Sequence, residues 1–120
     1  MSPRPAKDPS SFIPLKQSTY RVLLTLTEGD WRHGYAIMQA VAQMTDGRET
    51  ILPGTLYAAL ARMVDDGLVE VREAPDDDRS GGPPRRYYRR TGFGRAVARA
   101  ESERLRALLD VAVAQKIIGK

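Results

Sequence analysis

The stretch at residues 52–69, LPGTLYAALARMVDDGLV, constrains the fold most strongly because it contains the start, the period and the end of one helix. Pro53 suits a first helical turn, where its missing N–H group needs no partner. Gly67 suits a helix end because it adopts the left-handed conformation without steric cost. Between them, the apolar side chains that recur at the spacing of one helix face are Leu56, Leu60, Met63 and Val64.

The opposite face of this helix carries small side chains. Its members, with the polar residues beside them, are Gly54, Ala58, Ala61, Thr55, Arg62 and Asp65. A face reduced to glycine and alanine can approach a flat or grooved partner closely. The alternative is an ordinary surface helix made of good helix formers, and the neighbouring elements have to decide between the two.

Two helical patterns precede this helix. Apolar spacing predicts helices over residues 15–28 and 33–45, with a turn at residues 30–32 between them. Residues 49–52 form a short piece that is compatible with a β-strand. Three helices are therefore expected before the chain changes its pattern.

After Gly67 the apolar pattern becomes that of strands. Residues 68–73 and 85–91 predict two β-strands, the second rich in tyrosine. Residues 74–84, rich in glycine and proline, join them, so we expect a hairpin with a loop longer than a tight turn. A last helix is predicted from residue 92 to about residue 116. The chain is expected to be mainly α-helical with a small β-hairpin.

Composition limits the functions open to the chain. Its 120 residues suffice for one small domain. Because it has no cysteine and one histidine, we expect no disulfide and no metal site. No Gly-rich phosphate loop follows a strand, and no cofactor is expected. It contains neither an apolar run that could span a membrane nor the apolar core of a secretory signal, so a soluble cytoplasmic protein is expected. The net charge of +4 is compatible with a polyanion as partner.

The two ends of the chain differ from its middle. Residues 1–14 contain four prolines among polar residues, so we expect a disordered tail whose Phe12 and Ile13 are available to dock, for example on a partner subunit. The second half of the last helix is apolar on more than one side, which a small domain cannot bury alone. We therefore expect a homodimer, the alternative being apolar surface that frays or aggregates. The expected dimer contacts are Leu105, Leu108, Leu109, Ala112 and Val113.

Three helices, a hairpin and a long helix follow the order of a winged helix-turn-helix. The motifs within that order are Leu23-Leu24 with Glu28-Gly29, His33-Gly34-Tyr35-Ala36-Ile37, Pro53-Gly54-Thr55-Leu56-Tyr57-Ala58-Ala59-Leu60, Met63-Val64, Gly67-Leu68-Val69, and Arg86-Tyr87-Tyr88-Arg89 with Thr91 and Gly94-Arg95. In this combination the sequence resembles the PadR-like transcriptional regulators over about residues 15–109. The resemblance implies a winged helix-turn-helix domain at residues 15–91 and, as in the short subgroup, one C-terminal dimerisation helix at residues 92–120.

The resemblance also implies a function. It indicates a sequence-specific DNA-binding regulator, a dimeric repressor on a pseudo-palindromic double-stranded operator, relieved by a small aromatic effector. Two copies of the helix at residues 53–66 would enter successive major grooves. Some short members hold flat ligands on tryptophan between paired last helices. Here the single tryptophan is Trp31, before the second helix, so the last helices are expected to form a plain apolar contact.

Two positions depart from the family pattern. Leu52 stands where members carry a small polar cap, and its side chain cannot cap a helix, so Thr55 or water has to satisfy the first N–H groups. Arg90 stands where members prefer leucine. Because it shares a strand face with Tyr88, Arg90 must reach solvent or find a partner.

The resemblance and the small helix face together assign candidate DNA contacts. They are Thr55, Tyr57, Ala58 and Arg62 on the helix, Tyr35 at the start of the preceding helix, and Arg85 and Arg86 on the hairpin. Alternatives remain for three side chains: Tyr57 packing on the second helix, Arg62 pairing with Asp65 or Asp66, and His33 capping the helix that follows it. Arg79 shares its loop with residues 76–78, whose carboxylates repel phosphate, and Arg89 and Arg95 extend the candidate surface.

Two functions of other classes stay open. A winged helix used only as a protein-interaction module would show no salt-dependent DNA affinity. An enzyme would need a polar pocket, but nothing places His33 near a nucleophile, and the acidic residues 76–78 lack the alternation of a calcium loop. The chain is therefore expected not to be an enzyme.

Overall fold

The computed structural model describes residues 8–73 and 85–120, which form a mainly helical fold with a small sheet, as expected. The elements in chain order are a 3-10 helix Pro9–Phe12, α1 Gln17–Thr25, β1 Arg32–His33, α2 Gly34–Met44, α3 Pro53–Asp65, β2 Val69–Glu73, β3 Arg86–Arg90 and α4 Gly92–Ala114. Within these ranges, none of the helices combines the length and apolar character that crossing a membrane requires. The hairpin loop predicted at residues 74–84 lies outside the described residues.

The periodic helix of the sequence is α3. Its apolar face is fully buried at Leu56, Leu60 and Met63. Leu52 occupies the cap position without a side-chain hydrogen bond, as expected. Gly67 has φ +77°, and the N–H group after it, on Leu68, bonds to the Met63 carbonyl at 2.9 Å, which ends the helix in a left-handed cap.

The helix α1 is shorter than predicted. It ends at Thr25 rather than at residue 28, because the Thr27 hydroxyl accepts the N–H groups of Gly29 and Asp30 and forms a turn there. The helix α2 begins at Gly34, and the Nδ1 atom of His33 accepts the Ala36 N–H at 3.3 Å. The capping alternative for His33 is therefore the one that the structure adopts.

The prediction of a strand-like segment at residues 49–52 is wrong. The Thr45 hydroxyl accepts the Glu49 N–H at 3.1 Å, which folds this segment back on the end of α2. Conversely, the turn expected at residues 30–32 contains the start of β1. Two residues are too short to display an alternating pattern, and β1 exists only because β3 pairs with it.

The sheet has the order β1-β3-β2 and is antiparallel throughout. Val69 lies opposite Arg90 and Glu73 opposite Arg86, which sets the register of the predicted hairpin. Tyr88 of the central strand β3 is buried against the helices. We call β2, β3 and the loop that joins them the wing.

The start of α4 is fixed to the end of α3. Thr91 caps α4 by accepting the Gly94 N–H at 2.9 Å, and its hydroxyl donates to the Gly67 carbonyl at 2.6 Å. A β-carbon at Gly94 would stand 2.0 Å from the Leu68 carbonyl oxygen, so the backbones approach here as only glycine allows. Further along, Val97 and Ala98 join the core, and the buried Glu101 pairs with Arg104.

Residues 8–14 have a defined conformation, which differs from the disordered tail expected over residues 1–14. The Asp8 carboxylate caps the Pro9–Phe12 turn by accepting the Ser10 N–H. The Phe12 ring lies edge-on to Phe93 of α4, with ring centroids 5.5 Å apart. Burial of an aromatic ring on the same chain therefore fixes this segment. Residues 1–7 lie outside the described part of the chain.

The second half of α4 carries apolar side chains at its surface. Leu108 and Leu109 are more than half exposed, whereas Leu105, Ala112 and Val113 are partly buried. The helix ends at Ala114, two residues earlier than predicted, and Lys116 follows with φ +62°. The homodimer inferred from these side chains stays a prediction.

Candidate nucleic-acid interface

The outer face of α3 is exposed along its length. Thr55, Ala58 and Arg62 all lie on it, together with the glycine and alanine positions that make the face small. Among residues 8–73 and 85–120, no carboxylate pairs with the Arg62 guanidinium, so the alternative pairing with Asp65 or Asp66 is not formed. Arg62 is available to a ligand.

Tyr57 combines the two roles that the sequence left open. Its side chain is 48% exposed, yet its hydroxyl lies against the start of α2. A β-carbon at Gly34 would be 2.4 Å from the Tyr57 hydroxyl oxygen, so the absence of a side chain at Gly34 makes room for the phenol. Tyr57 thus joins α3 to α2 and keeps an exposed edge.

A cleft of about 660 Å³ lies between the start of α2, α3 and β3. Its side chains are His33, Tyr35, Tyr57, Arg85, Arg86 and Tyr88. Two of them are arginines and none is acidic, so the cleft is electropositive and suits an anion. Burial raises the pKa of Tyr88, which lines the cleft beside the arginines. The structure therefore brings together four candidate DNA contacts from three elements.

Aromatic side chains continue from this cleft onto the outer face of the sheet. The His33 ring stacks on Tyr35 at 6.5 Å with an angle of 9° between the rings, and its other neighbour, Tyr87, meets it edge-on at 5.9 Å. Beyond them, the guanidinium carbons of Arg72 and Arg89 lie over the Trp31 ring, 4.6 and 4.4 Å from its centroid.

Arg90 found a partner, one of the two outcomes expected for it. Its guanidinium donates to the Glu28 carboxylate at 2.9 Å and to the Leu23 carbonyl at 2.9 Å. Arg95 of α4 reaches the other oxygen of Glu28 at 3.2 Å. Burial opposes ionisation of Glu28, but the two arginines outweigh it and lower its pKa. Arg90 therefore supports the base of the wing, and Arg95 is partly committed to Glu28.

Sequence reasoning placed Trp31 in a loop and gave Arg72 no role. Their contact joins residues 41 positions apart, and only the pairing of β1 with β3 brings them together. One signal was present: Arg72 and Arg89 lie at alternating positions of the two predicted strands, on the face opposite Tyr88. The strand pattern could have indicated a basic outer face.

The model of the Transcriptional regulator PadR-like family matches residues 22–100, which is more than half of the chain. The chain belongs to this family. An uncharacterized protein from Lysinibacillus sphaericus is 39% identical over 75 residues, which cover 62% of this chain and 65% of that protein. The match thus spans just under two thirds of the relative's length.

Solved structures support the PadR-like fold. A transcriptional regulator from Clostridium thermocellum is 26% identical with a TM-score of 0.67, covering 85% of this chain and 90% of its own. Bacillus subtilis PadR in complex with operator DNA is 17% identical with a TM-score of 0.59, covering 77% of this chain and 48% of its own. The second likeness is one of fold alone. None of the individual candidate DNA contacts is tested by these matches, and each stays a prediction.

Proposed function

We propose that this PadR-like protein is a cytoplasmic, sequence-specific DNA-binding regulator that acts as a dimeric repressor. The observation that carries the proposal is the exposed small-residue face of α3, flanked by the electropositive cleft on the side of the wing. A small helix face fits the major groove, which admits one α-helix, and the flanking arginines suit the backbone phosphates.

In this proposal α3 enters the groove and other elements hold the phosphates. Thr55 donates to a phosphate at the start of α3, where free N–H groups and the helix dipole favour an anion. Ala58 and Arg62 meet base edges, and the exposed edge of Tyr57 meets the backbone beside them. Tyr35, Arg85 and Arg86 line the cleft. In this proposal they bind the phosphates of the DNA strand that passes over it.

The proposed dimer is built on the second half of α4. The exposed Leu108 and Leu109 leave apolar surface that a second copy would cover, together with Leu105, Ala112 and Val113. Two α3 helices would then reach half-sites of a pseudo-palindrome about 34–36 Å apart, one turn of the duplex. A small aromatic effector would relieve repression by changing this distance. The single tryptophan, Trp31, packs against two arginines of the wing. On α4 the ligand would therefore meet aliphatic side chains.

The first experiment selects duplexes from a random pool and from the DNA upstream of the gene, then measures binding by fluorescence anisotropy at two salt concentrations. We expect one enriched site whose binding weakens with salt and is lost in Arg62→Ala. Arg99→Ala is the matched control, because Arg99 is an exposed arginine on α4 that pairs with Glu103. Equal, feeble binding to every duplex would instead favour a protein-interaction module.

The dimer has its own test. Leu109→Lys places a charge among the proposed contacts, so sedimentation should report a monomer. Ala107→Lys is the control, since helical spacing places residue 107 on the opposite side of α4 from residues 105 and 109. Loss of the dimer in both variants, or in neither, would contradict the proposed contact.

A further inference from the structure

The outer face of the wing contains a preorganised group of one aromatic and two cationic side chains that the proposed function does not use. Arg72 of β2 and Arg89 of β3 both lie over the Trp31 ring, at 4.6 and 4.4 Å from its centroid. Such cation–π contacts hold the plane of a guanidinium against the ring and leave the N–H groups at its edge free. We call Trp31, Arg72 and Arg89 the tryptophan–arginine group.

The two arginines of this group are not equivalent. Arg89 donates to Glu70 through its Nε atom, so its charge is already compensated. Arg72 is exposed, and among the described residues no carboxylate pairs with it. Arg72 therefore presents a positive charge without a carboxylate partner among the described residues, and its guanidinium lies against the Trp31 ring.

The position of the group indicates its ligand. In the sheet Arg72 lies opposite Tyr87, which lies opposite His33, and the His33 ring stacks on Tyr35. This row of side chains leads from the start of α2, where Tyr35 is a candidate phosphate contact, across the sheet to Arg72. A duplex strand that passes the start of α2 would continue along the same row.

We propose that the tryptophan–arginine group is an additional binding site for a DNA backbone phosphate, with Arg72 as the contact and Trp31 as the positioning residue. The proposal rests on the proposed DNA-binding function and extends its contact surface to the outer face of the wing. A stacked guanidinium recognises a phosphate oxygen pair through two N–H groups. The contact carries no sequence information, so it adds affinity on any duplex.

The test measures affinity against salt on a mixed-sequence duplex of about 30 base pairs, long enough for two half-sites one turn apart. Arg72→Gln should lower the magnitude of the log–log salt slope by about 0.9 per protomer, the value for one phosphate contact. Arg99→Gln removes the same charge from α4 and should leave the slope unchanged. An Arg72→Gln slope equal to that of Arg99→Gln overturns the proposal.

Variants of Trp31 test whether its ring positions Arg72 for the phosphate or only stabilises the fold. Trp31→Leu removes the ring and no charge, yet it should reduce the slope as Arg72→Gln does, and the double variant should add little, since both act on one contact. Trp31→Phe keeps an aromatic face and should restore most of the slope. If both Trp31 variants bind with the wild-type slope, the positioning role is wrong.

The unmodified protein offers a further readout, because Trp31 is its single tryptophan. The fluorescence emission of Trp31 should change saturably as duplex is added. The midpoint of this change should equal the midpoint of the binding curve measured by fluorescence anisotropy. Emission that stays constant while the duplex binds overturns the proposal and leaves the DNA-binding function intact. No salt-dependent binding by the wild-type protein would overturn both. Binding that is indifferent to Arg72→Gln but lost in Arg62→Ala would overturn this inference alone.

Discussion

Gly94→Ala tests the close approach between α4 and the end of α3. In most helix interiors this substitution stabilises a protein by about 0.5–1 kcal/mol, because alanine restricts the unfolded chain and favours the helix. Here the new β-carbon would lie 2.0 Å from the Leu68 carbonyl oxygen, which is backbone and itself accepts the Thr91 N–H at 3.0 Å. Neither the new β-carbon nor the Leu68 carbonyl can rotate away, so α4 must shift as a unit.

Overpacking of this kind costs about 1–3 kcal/mol, and a backbone neighbour puts Gly94→Ala at the upper end. For a domain of this size that lowers the unfolding temperature by about 10–20 °C. The assay is thermal unfolding followed by circular dichroism, at one protein concentration, because a dimer's midpoint depends on it. Gly92→Ala in the same turn is the control, since a β-carbon there meets nothing within 4 Å. Equal midpoints for the two variants would refute the steric argument.

Three further predictions follow from the polar contacts and the cleft. The Arg104 hydrogen bond lowers the pKa of the buried Glu101 against the opposing effect of burial. The stabilisation by the ionised Glu101 is therefore complete above the ordinary pKa of 4.5 and is lost as pH falls below it. Glu101→Gln should lower the free energy of unfolding at neutral pH, and urea unfolding should show that the difference from wild type narrows in acid. Arg90→Ala leaves Glu28 and the Leu23 carbonyl without their partner and should cost about 1–3 kcal/mol; a variant as stable as wild type in urea would contradict this. Gly34→Ala would push the Tyr57 ring away, because the new β-carbon would meet both its hydroxyl and its ring carbons; the ring is 48% exposed and can turn outward, so melting should change little while DNA affinity falls. Unaltered affinity would remove Tyr57 from the proposed contacts.

The parts of the fold that sequence could predict are those with a local signal. Leu56, Leu60 and Met63 repeat at helical spacing, and all three are buried. Gly67 marks a helix end by its chemistry, and it has the positive φ that a left-handed cap requires. The exposed face of α3 follows from the same period, so this part of the candidate site was accessible to sequence reasoning.

The remainder depends on contacts between distant residues. The strand β1 forms because β3 accepts a neighbour, which no pattern of two residues can encode. Phe12 belongs to a proline-rich segment, and it is ordered by packing against Phe93 and the core, contacts that no local pattern indicates. Residues 49–52 had strand-like side chains, but the Thr45 hydroxyl redirected their backbone. Trp31 acquired its two arginines through sheet pairing alone.

The shared carboxylate of Glu28 has a mechanical consequence. It joins Arg90 at the base of the wing to Arg95 in the first turn of α4, beside the close contact at Gly94. The wing and the long helix α4 are thus joined at the base of the wing. The 23 residues of α4 make a helix about 35 Å long, so a tilt of α4 by about 6° displaces its far end by about 3.5 Å. We therefore expect a displacement at the end of α4 to be accompanied by a rotation of the wing.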